Sequence, residues 1–310
     1  MPWWFIVTGV ELAESAVAVT SAMKASQSLP AGGWRGLREV LADHWPEYLI
    51  EGAALGLFMI SAGLFATLFE YPGSPVHQAI PDPTVRRILI GIAMGITAIS
   101  IIYSPWGQRS GAHMNPAMTL TFWTLGKVKA HDALAYMIAQ FVGGALGVLV
   151  VIVLLGDRFA APPVQFAVTM PGDAGPARAF AAEFGISAVL VFTVLWVSNT
   201  KRVARMTGLL AGILVATYIS IEAPISGMSM NPARSLASAL PGALWDHLWI
   251  YFIAPPAGML TGAFAYRALR TASRIDCAKL DHAPTQRCIH CGYVPALLAQ
   301  ALRGRGKEGV

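Results

Sequence analysis

Ser110-Gly111-Ala112-His113-Met114-Asn115-Pro116-Ala117-Met118-Thr119-Leu120 returns 116 residues later as Ser226-Gly227-Met228-Ser229-Met230-Asn231-Pro232-Ala233-Arg234-Ser235-Leu236, with seven of eleven positions identical. Proline is favoured as the first residue of a helix, and asparagine is a good N-cap before it. Each Asn-Pro-Ala therefore reads as a helix start. Both copies lie between apolar runs, where a bilayer-spanning chain has no ordinary reason to begin a helix. Broken helices at matching places in two halves of a chain point to a permeation site.

The flanking composition agrees. Of 310 residues, 55% are hydrophobic and 13% charged, against about 25% charged in soluble domains. The mean hydropathy is +0.56. The chain reads as a polytopic membrane protein. Its net charge of +5 is no nucleic-acid footprint, because the basic residues sit in the joints between apolar runs. The three cysteines all fall near the C-terminus, which excludes a disulfide framework for the body of the protein.

Six apolar segments approach the roughly 20 residues that span a bilayer: about 47–69, 84–104, 131–156, 178–199, 206–222 and 245–267. Two half-length segments, 115–125 and 231–240, follow the Asn-Pro-Ala copies. The order is three spans with a half-span after the second, then the same again. An odd number of spans per unit turns the second unit over, giving an inverted repeat. The predicted fold is an all-α membrane protein of six transmembrane helices and two half-helices, with a channel domain over 46–270, an N-terminal extension over 1–45 and a tail over 271–310. For the extension two readings stand: a start at Met23 with a miscalled leader before it, or an amphipathic helix lying on the membrane, since Glu11 and Glu14 are costly mid-bilayer.

Basic joints set the orientation. Lys201, Arg202 and Arg205 lie between spans four and five, Arg267, Arg270 and Arg274 follow span six, and Lys24, Arg35 and Arg38 precede span one. They share one side, which places both termini in the cytoplasm and the protein in the plasma (inner) membrane. Arg86 and Arg87 fall on the other side, outnumbered. Small residues four apart (Gly52/Gly56, Gly91/Gly95, Gly143/Gly147, Gly208/Gly212, Gly258/Gly262, and Ala181/Gly185 in span four) predict close helix packing.

Residue chemistry gives the boxes a task. An Asn115 or Asn231 that caps its helix has its side-chain oxygen held by backbone N–H groups, leaving the amide NH2 aimed into the lumen as a fixed donor. Two positive helix ends converge there, which favours a lone-pair oxygen and repels cations. Arg234 is a charge in a membrane setting and so a functional candidate; Met118 holds its place in the first box. Glu51 and Glu183 sit early in spans one and four, at matching positions, and buried carboxylates need partners.

The two boxes, the arginine and the six-span order together resemble the major intrinsic protein family, the aquaporins and aquaglyceroporins, over about residues 46–270. The resemblance implies a passive channel, not an enzyme, that works as a homotetramer in the lipid bilayer with one pore per subunit. It implies pore-lining boxes at Asn115, Pro116, Ala117, Asn231, Pro232 and Ala233, loop support from Glu51 and Glu183, and a vestibule position for His113. It also implies a selectivity filter of Met94 (or Gly95, the segment after span two being one residue longer than usual), Ile219, Met228 and Arg234. Ile219 stands where water channels carry histidine, so this filter is more apolar. Ser235, Ala239, Tyr251 and Phe252, by contrast, resemble the water-channel subgroup; glycerol channels typically carry an acid and a lysine at the first two. Water, with small neutral solutes, is the expected cargo. The alternatives are a facilitator of glycerol, urea, ammonia, hydrogen peroxide or metalloid acids, a proton-coupled transporter using Glu51 and Glu183, and a membrane-anchored metal or redox sensor.

The sensor reading comes from the tail. Cys277, His282, Cys288 and Cys291, spaced x4, x5 and x2, supply the donors of a tetrahedral zinc site; iron is the other candidate. A reduced, unstructured tail and a redox-sensing dithiol are the competing readings. The channel itself implies no cofactor.

Overall fold

The computed structural model describes residues 34–270 and 275–295. Lys24, Arg274 and both readings of the leader, including the start at Met23, lie outside the described residues. Eight helices form the frame: α1 (Trp34–Glu70), α2 (Pro83–Tyr103), α3 (Pro116–Thr124), α4 (Ala130–Leu155), α5 (Pro176–Ser198), α6 (Thr207–Ile221), α7 (Pro232–Ala239) and α8 (Leu248–Leu269). Among the described residues six helices are long and apolar enough to cross a membrane; α3 and α7 are the half-length pair. The described residues contain no strand.

The helix starts follow from local chemistry. Asp82 caps α2, its Oδ1 accepting from the Thr84 N–H at 2.7 Å, with Pro83 in the first turn. Asn115 and Asn231 cap α3 and α7 in extended conformation ahead of Pro116 and Pro232, an arrangement that suits proline because its missing N–H is not needed in the first turn.

One boundary differs from the sequence reading. α1 starts at Trp34, not near residue 47, and has 37 residues, or about 55 Å at 1.5 Å per residue. That exceeds a hydrocarbon core of about 30 Å, so its polar first turns extend past the apolar span. Residues 34–45 are helical and run without a break into the first span.

The helices pack chiefly as α1 on α4, α5 on α8, and α2 on α6. The first two pairs are equivalent under the repeat, and the third pairs the second span of one half with that of the other. Close backbone approach drives all three. A Cβ on Gly52 would lie 2.8 Å from the Ala139 carbonyl, and one on Gly95 2.6 Å from the Gly212 carbonyl. A Cβ on Gly258 would collide with the Phe184 carbonyl. Span four departs from expectation: Gly185 faces open space. There α5 offers the carbonyls of Phe184 and Ala188, and the glycines come from α8. On the outer surface Leu134, Ile138, Val142, Leu146, Leu149 and Val153 of α4 form an apolar stripe, each more than half exposed.

Candidate permeation pathway

Two loops enter the bundle from opposite ends of the repeat, Gly111–Asn115 and Gly227–Asn231. Their backbones follow one design. Gly111 (φ 108°) and Gly227 (φ 79°) are left-handed, and so are Ala112 (54°), Met114 (49°), Met228 (48°) and Met230 (54°). Non-glycine residues rarely adopt positive φ, and each such residue costs about 1–3 kcal/mol and persists only where its surroundings fix it.

The fixing groups are a matched set. Glu51 Oε1 accepts from Ser110 Oγ (2.7 Å) and the His113 N–H (3.0 Å); Oε2 accepts from the Met114 N–H (2.7 Å) and Gln140 Nε2 (2.9 Å). Glu183 Oε1 accepts from Ser226 Oγ and the Ser229 N–H, and Oε2 from the Met230 N–H, all at 2.7 Å. Tyr136 donates to the Ser110 carbonyl at 2.8 Å, and Tyr251 donates to that of Ser226. The sequence reading named the two glutamates but gave neither tyrosine a bracing role. A tyrosine at nearly the same place in the third span of each unit was the available signal.

Each asparagine caps its half-helix. Asn115 Oδ1 accepts from the Ala117 N–H (2.9 Å), and Asn231 Oδ1 from the Ala233 (3.1 Å) and Arg234 (3.2 Å) N–H groups. The amide groups are not both wholly free, as the sequence suggested. Asn115 Nδ2 donates to the Met230 carbonyl (2.6 Å) and Asn231 Nδ2 to the Met114 carbonyl (2.7 Å). An amide NH2 carries two hydrogens, so one per asparagine ties the two loops together and one remains.

A cavity of about 540 Å³ runs along this junction. Asn115, Asn231, Met94, Ile219, Met228, Arg234 and His113 all line it. Gly95 does not; it is turned to α6. Arg234 Nη1 is buried with no protein partner among the described residues. Glu51 and Glu183 are buried but lie behind the loops, outside the cavity lining. Three further buried acids escaped the sequence reading. Glu47 is held by Arg109 (3.1 Å) and Arg287 (3.2 Å), Asp132 by His44 (2.7 Å) and Tyr48 (2.6 Å), and Glu222 ends α6. None lines the cavity.

His113 lines the cavity and is only 4% exposed, with residues of the 275–295 tail folded over it. Its Nδ1 accepts from Thr119 (3.1 Å) and its Nε2–H donates to the Ala278 carbonyl (2.8 Å). Ile275, Ala278 and Leu280 join the core cluster of Ala112, Met118 and Val194. The structure brings together the four tail residues singled out from sequence, their donor atoms all within 4.8 Å of one another. Cys277 and Cys288 sulfurs are 3.4 Å apart; His282 Nε2 is 3.2 Å from Cys291 Sγ. The contact between the first two holds the Cys288 thiol low and pushes the Cys277 thiol up.

An inverted-repeat bundle of six spans, with two half-helix N-termini meeting on an internal cavity, defines a membrane channel. The comparisons place it further. The chain matches the Major intrinsic protein family model over residues 42–266. It is 35% identical over 222 residues to aquaporin NIP1-4 of Oryza sativa subsp. japonica, covering 71% of this chain and 76% of that one. It is also 35% identical over 212 residues to aquaporin NIP1-1 of Arabidopsis thaliana, covering 67% and 71%. The X-ray structure of the aquaglyceroporin from Plasmodium falciparum matches with a TM-score of 0.62 at 17% identity, over 72% of this chain and 95% of that one, a likeness of fold. The chain belongs to the major intrinsic protein family, a family of channels.

Proposed function

We propose that the chain is a passive water channel that also passes small neutral solutes, and that its filter is Met94, Ile219, Met228 and Arg234. One observation carries this reading: Arg234 Nη1 is a buried donor on the cavity wall with no partner among the described residues. A buried cationic donor without a protein partner needs an oxygen ligand, and a passing water supplies one. The positive charge and the two half-helix N-termini oppose cations. The asparagines offer their remaining amide hydrogens at the crossing of the loops. The three apolar walls favour a second cargo class, the small uncharged solutes named above, because Met adapts its shape and Arg234 is the one polar member of the proposed filter.

Coupling to protons through Glu51 and Glu183 is disfavoured. Both carboxylates are filled by loop donors and lie off the cavity. The exposed basic residues Lys201, Arg202 and Arg205 flank Asn199, which binds the tail through the Asp276 N–H at 2.8 Å. The basic joint and the tail thus share one end of the bundle, which supports a cytoplasmic tail in a plasma (inner) membrane protein. The exposed α4 stripe suits lipid or a neighbouring subunit of a homotetramer. The pore needs no cofactor; the tail cluster is read as a site for zinc or iron.

The test is stopped-flow shrinkage of proteoliposomes holding the reduced, metal-stripped full-length protein, with water and glycerol measured on the same vesicles. Fast water flow that Ile219→Trp abolishes is expected. Uptake that follows an imposed proton gradient overturns the reading.

A further inference from the structure

We propose that Cys277, His282, Cys288 and Cys291 bind one Zn2+, and that the metal-stapled tail is a plug in the cytoplasmic mouth of the pore, shut when zinc is bound and released when zinc leaves. The plug rests on the channel reading above; the metal site stands on its own geometry.

The donor set fits zinc. Tetrahedral bonds of about 2.3 Å to sulfur and 2.0–2.1 Å to nitrogen place neighbouring donors about 3.5–3.8 Å apart. The observed contacts of 3.4 and 3.2 Å, with all four donors within 4.8 Å, need only small adjustments. Cys288 and Cys291 sit on a tight turn closed by Gly292 at φ 73°, whose N–H donates to the Cys288 carbonyl (3.0 Å). A side chain at Gly292 would strain that turn. Binding displaces the thiol protons, so three thiolates and Zn2+ leave one net negative charge. Lys279, only 3% exposed, lies two residues after Cys277, and its Nζ donates to the carbonyl of Arg287, the residue before Cys288, at 2.8 Å, which sets a basic group within the loop that the metal closes.

The plug is the chain between the ligands. Cys277 and Cys288 bracket residues 278–287, so the metal closes a loop around the segment that docks. Within it the Ala278 carbonyl accepts from His113, and the Leu280 N–H donates to the Gly111 carbonyl at 3.2 Å. Leu280 is 5% exposed and lines the same cavity as Asn115. Lys279 Nζ donates to the Gln108 carbonyl, and Arg287 pairs with Asp43 and Glu47 of α1. The His290 ring stacks on His113 at 5.8 Å. The tail thus contacts the first pore loop directly. Without the metal, the core contacts of Ile275, Ala278 and Leu280 and these hydrogen bonds alone must hold a segment whose ordering entropy is about 1–2 kcal/mol per residue.

The experiment uses the full-length protein in reductant, which keeps the Cys277–Cys288 pair from forming a disulfide. Elemental analysis should find one zinc per chain. Zinc returned to the stripped proteoliposomes should lower water permeability several-fold. The Cys288→Ser/Cys291→Ser double variant should conduct like stripped protein and ignore zinc. Arg287→Gln should keep its zinc and conduct several-fold faster than the zinc-loaded parent. Sub-stoichiometric zinc that does not rebind overturns the metal site. One zinc per chain with unchanged permeability overturns the plug and leaves the pore reading intact. Inhibition by zinc that persists in the double variant, or closure that follows oxidant alone, also overturns the proposal. Stripped protein that conducts nothing removes the channel reading, and the plug with it.

Discussion

Replacing Glu183 by glutamine tests whether the second loop is held by its buried carboxylate. Three donors converge on Glu183: Ser226 Oγ and the Ser229 N–H on one oxygen, the Met230 N–H on the other. Glutamine has the same shape but turns one acceptor into a donor. In either orientation its NH2 faces a backbone N–H, that of Ser229 or Met230. One buried N–H is then orphaned, costing about 1–3 kcal/mol. The surviving bonds lose their ionic character, and a charge-assisted bond is roughly twice as strong as a neutral one, so about 1 kcal/mol each is lost. Relief of the buried charge offsets part of this. The expected net loss is about 2–4 kcal/mol, read by chemical unfolding in mixed micelles. Met228 and Met230, at φ 48° and 54°, lose their restraint, and Met228 is a cavity-lining residue. Water permeability should therefore fall in the same variant. A Glu183→Gln protein with unchanged stability and permeability would refute the argument that the carboxylate fixes the loop.

Tyr251→Phe removes one donor to the Ser226 carbonyl and should cost about 1–3 kcal/mol; Tyr136→Phe should cost about the same at the other loop, and unfolding midpoints that differ sharply between the two would contradict their equivalence. Gly258→Val drives a side chain into the Phe184 carbonyl and should destabilise by more than the roughly 1–3 kcal/mol of ordinary overpacking, whereas Gly185→Ala meets nothing within 4 Å and should be neutral or slightly stabilising through helix propensity. Asn231→Ala removes a cap and a cross-loop bond together, for a loss of about 2–3 kcal/mol; stability equal to the parent would separate the two loops energetically.

Much of this fold was legible because lipid demands long apolar runs and internal satisfaction of the backbone. The spans, the half-helices and the Asn-Pro starts follow from residue type alone. The N-terminal turns of α1 did not, because Asp43, His44 and Glu47 break the apolar run. Their compensating partners, Arg287, Asp132 and Arg109, are distant in sequence. Gly185 misled for a related reason. A small-residue spacing marks a helix that can approach another, but not which partner supplies the missing Cβ, and at α5–α8 that partner is α8. The amide hydrogens of Asn115 and Asn231 were read within one loop each, so their exchange across the loops was invisible.

The bracing of the two loops follows the repeat, while what covers them does not. Glu51, Ser110 and Tyr136 recur as Glu183, Ser226 and Tyr251, since each inserted loop must hold two non-glycine residues at positive φ and no bilayer water can satisfy its N–H groups. Where the pore meets its surroundings, the halves diverge. At the α7 end Arg234 keeps on the cavity a donor with no partner among the described residues, and the equivalent Met118 of the first half gives the same cavity an apolar wall. At the α3 end His113 and Gly111 are bound by the tail, and their counterparts Ser229 and Gly227 are not: Ser229 Oγ turns inward to the Asn231 carbonyl and Ser235. A symmetric brace lets the two mouths differ without disturbing the loops between them. With the proposed filter at Arg234 and the proposed plug at His113 and Gly111, selection and closure rest on different loops, and a substitution at the tail should change how often the pore is open without changing which solutes it prefers.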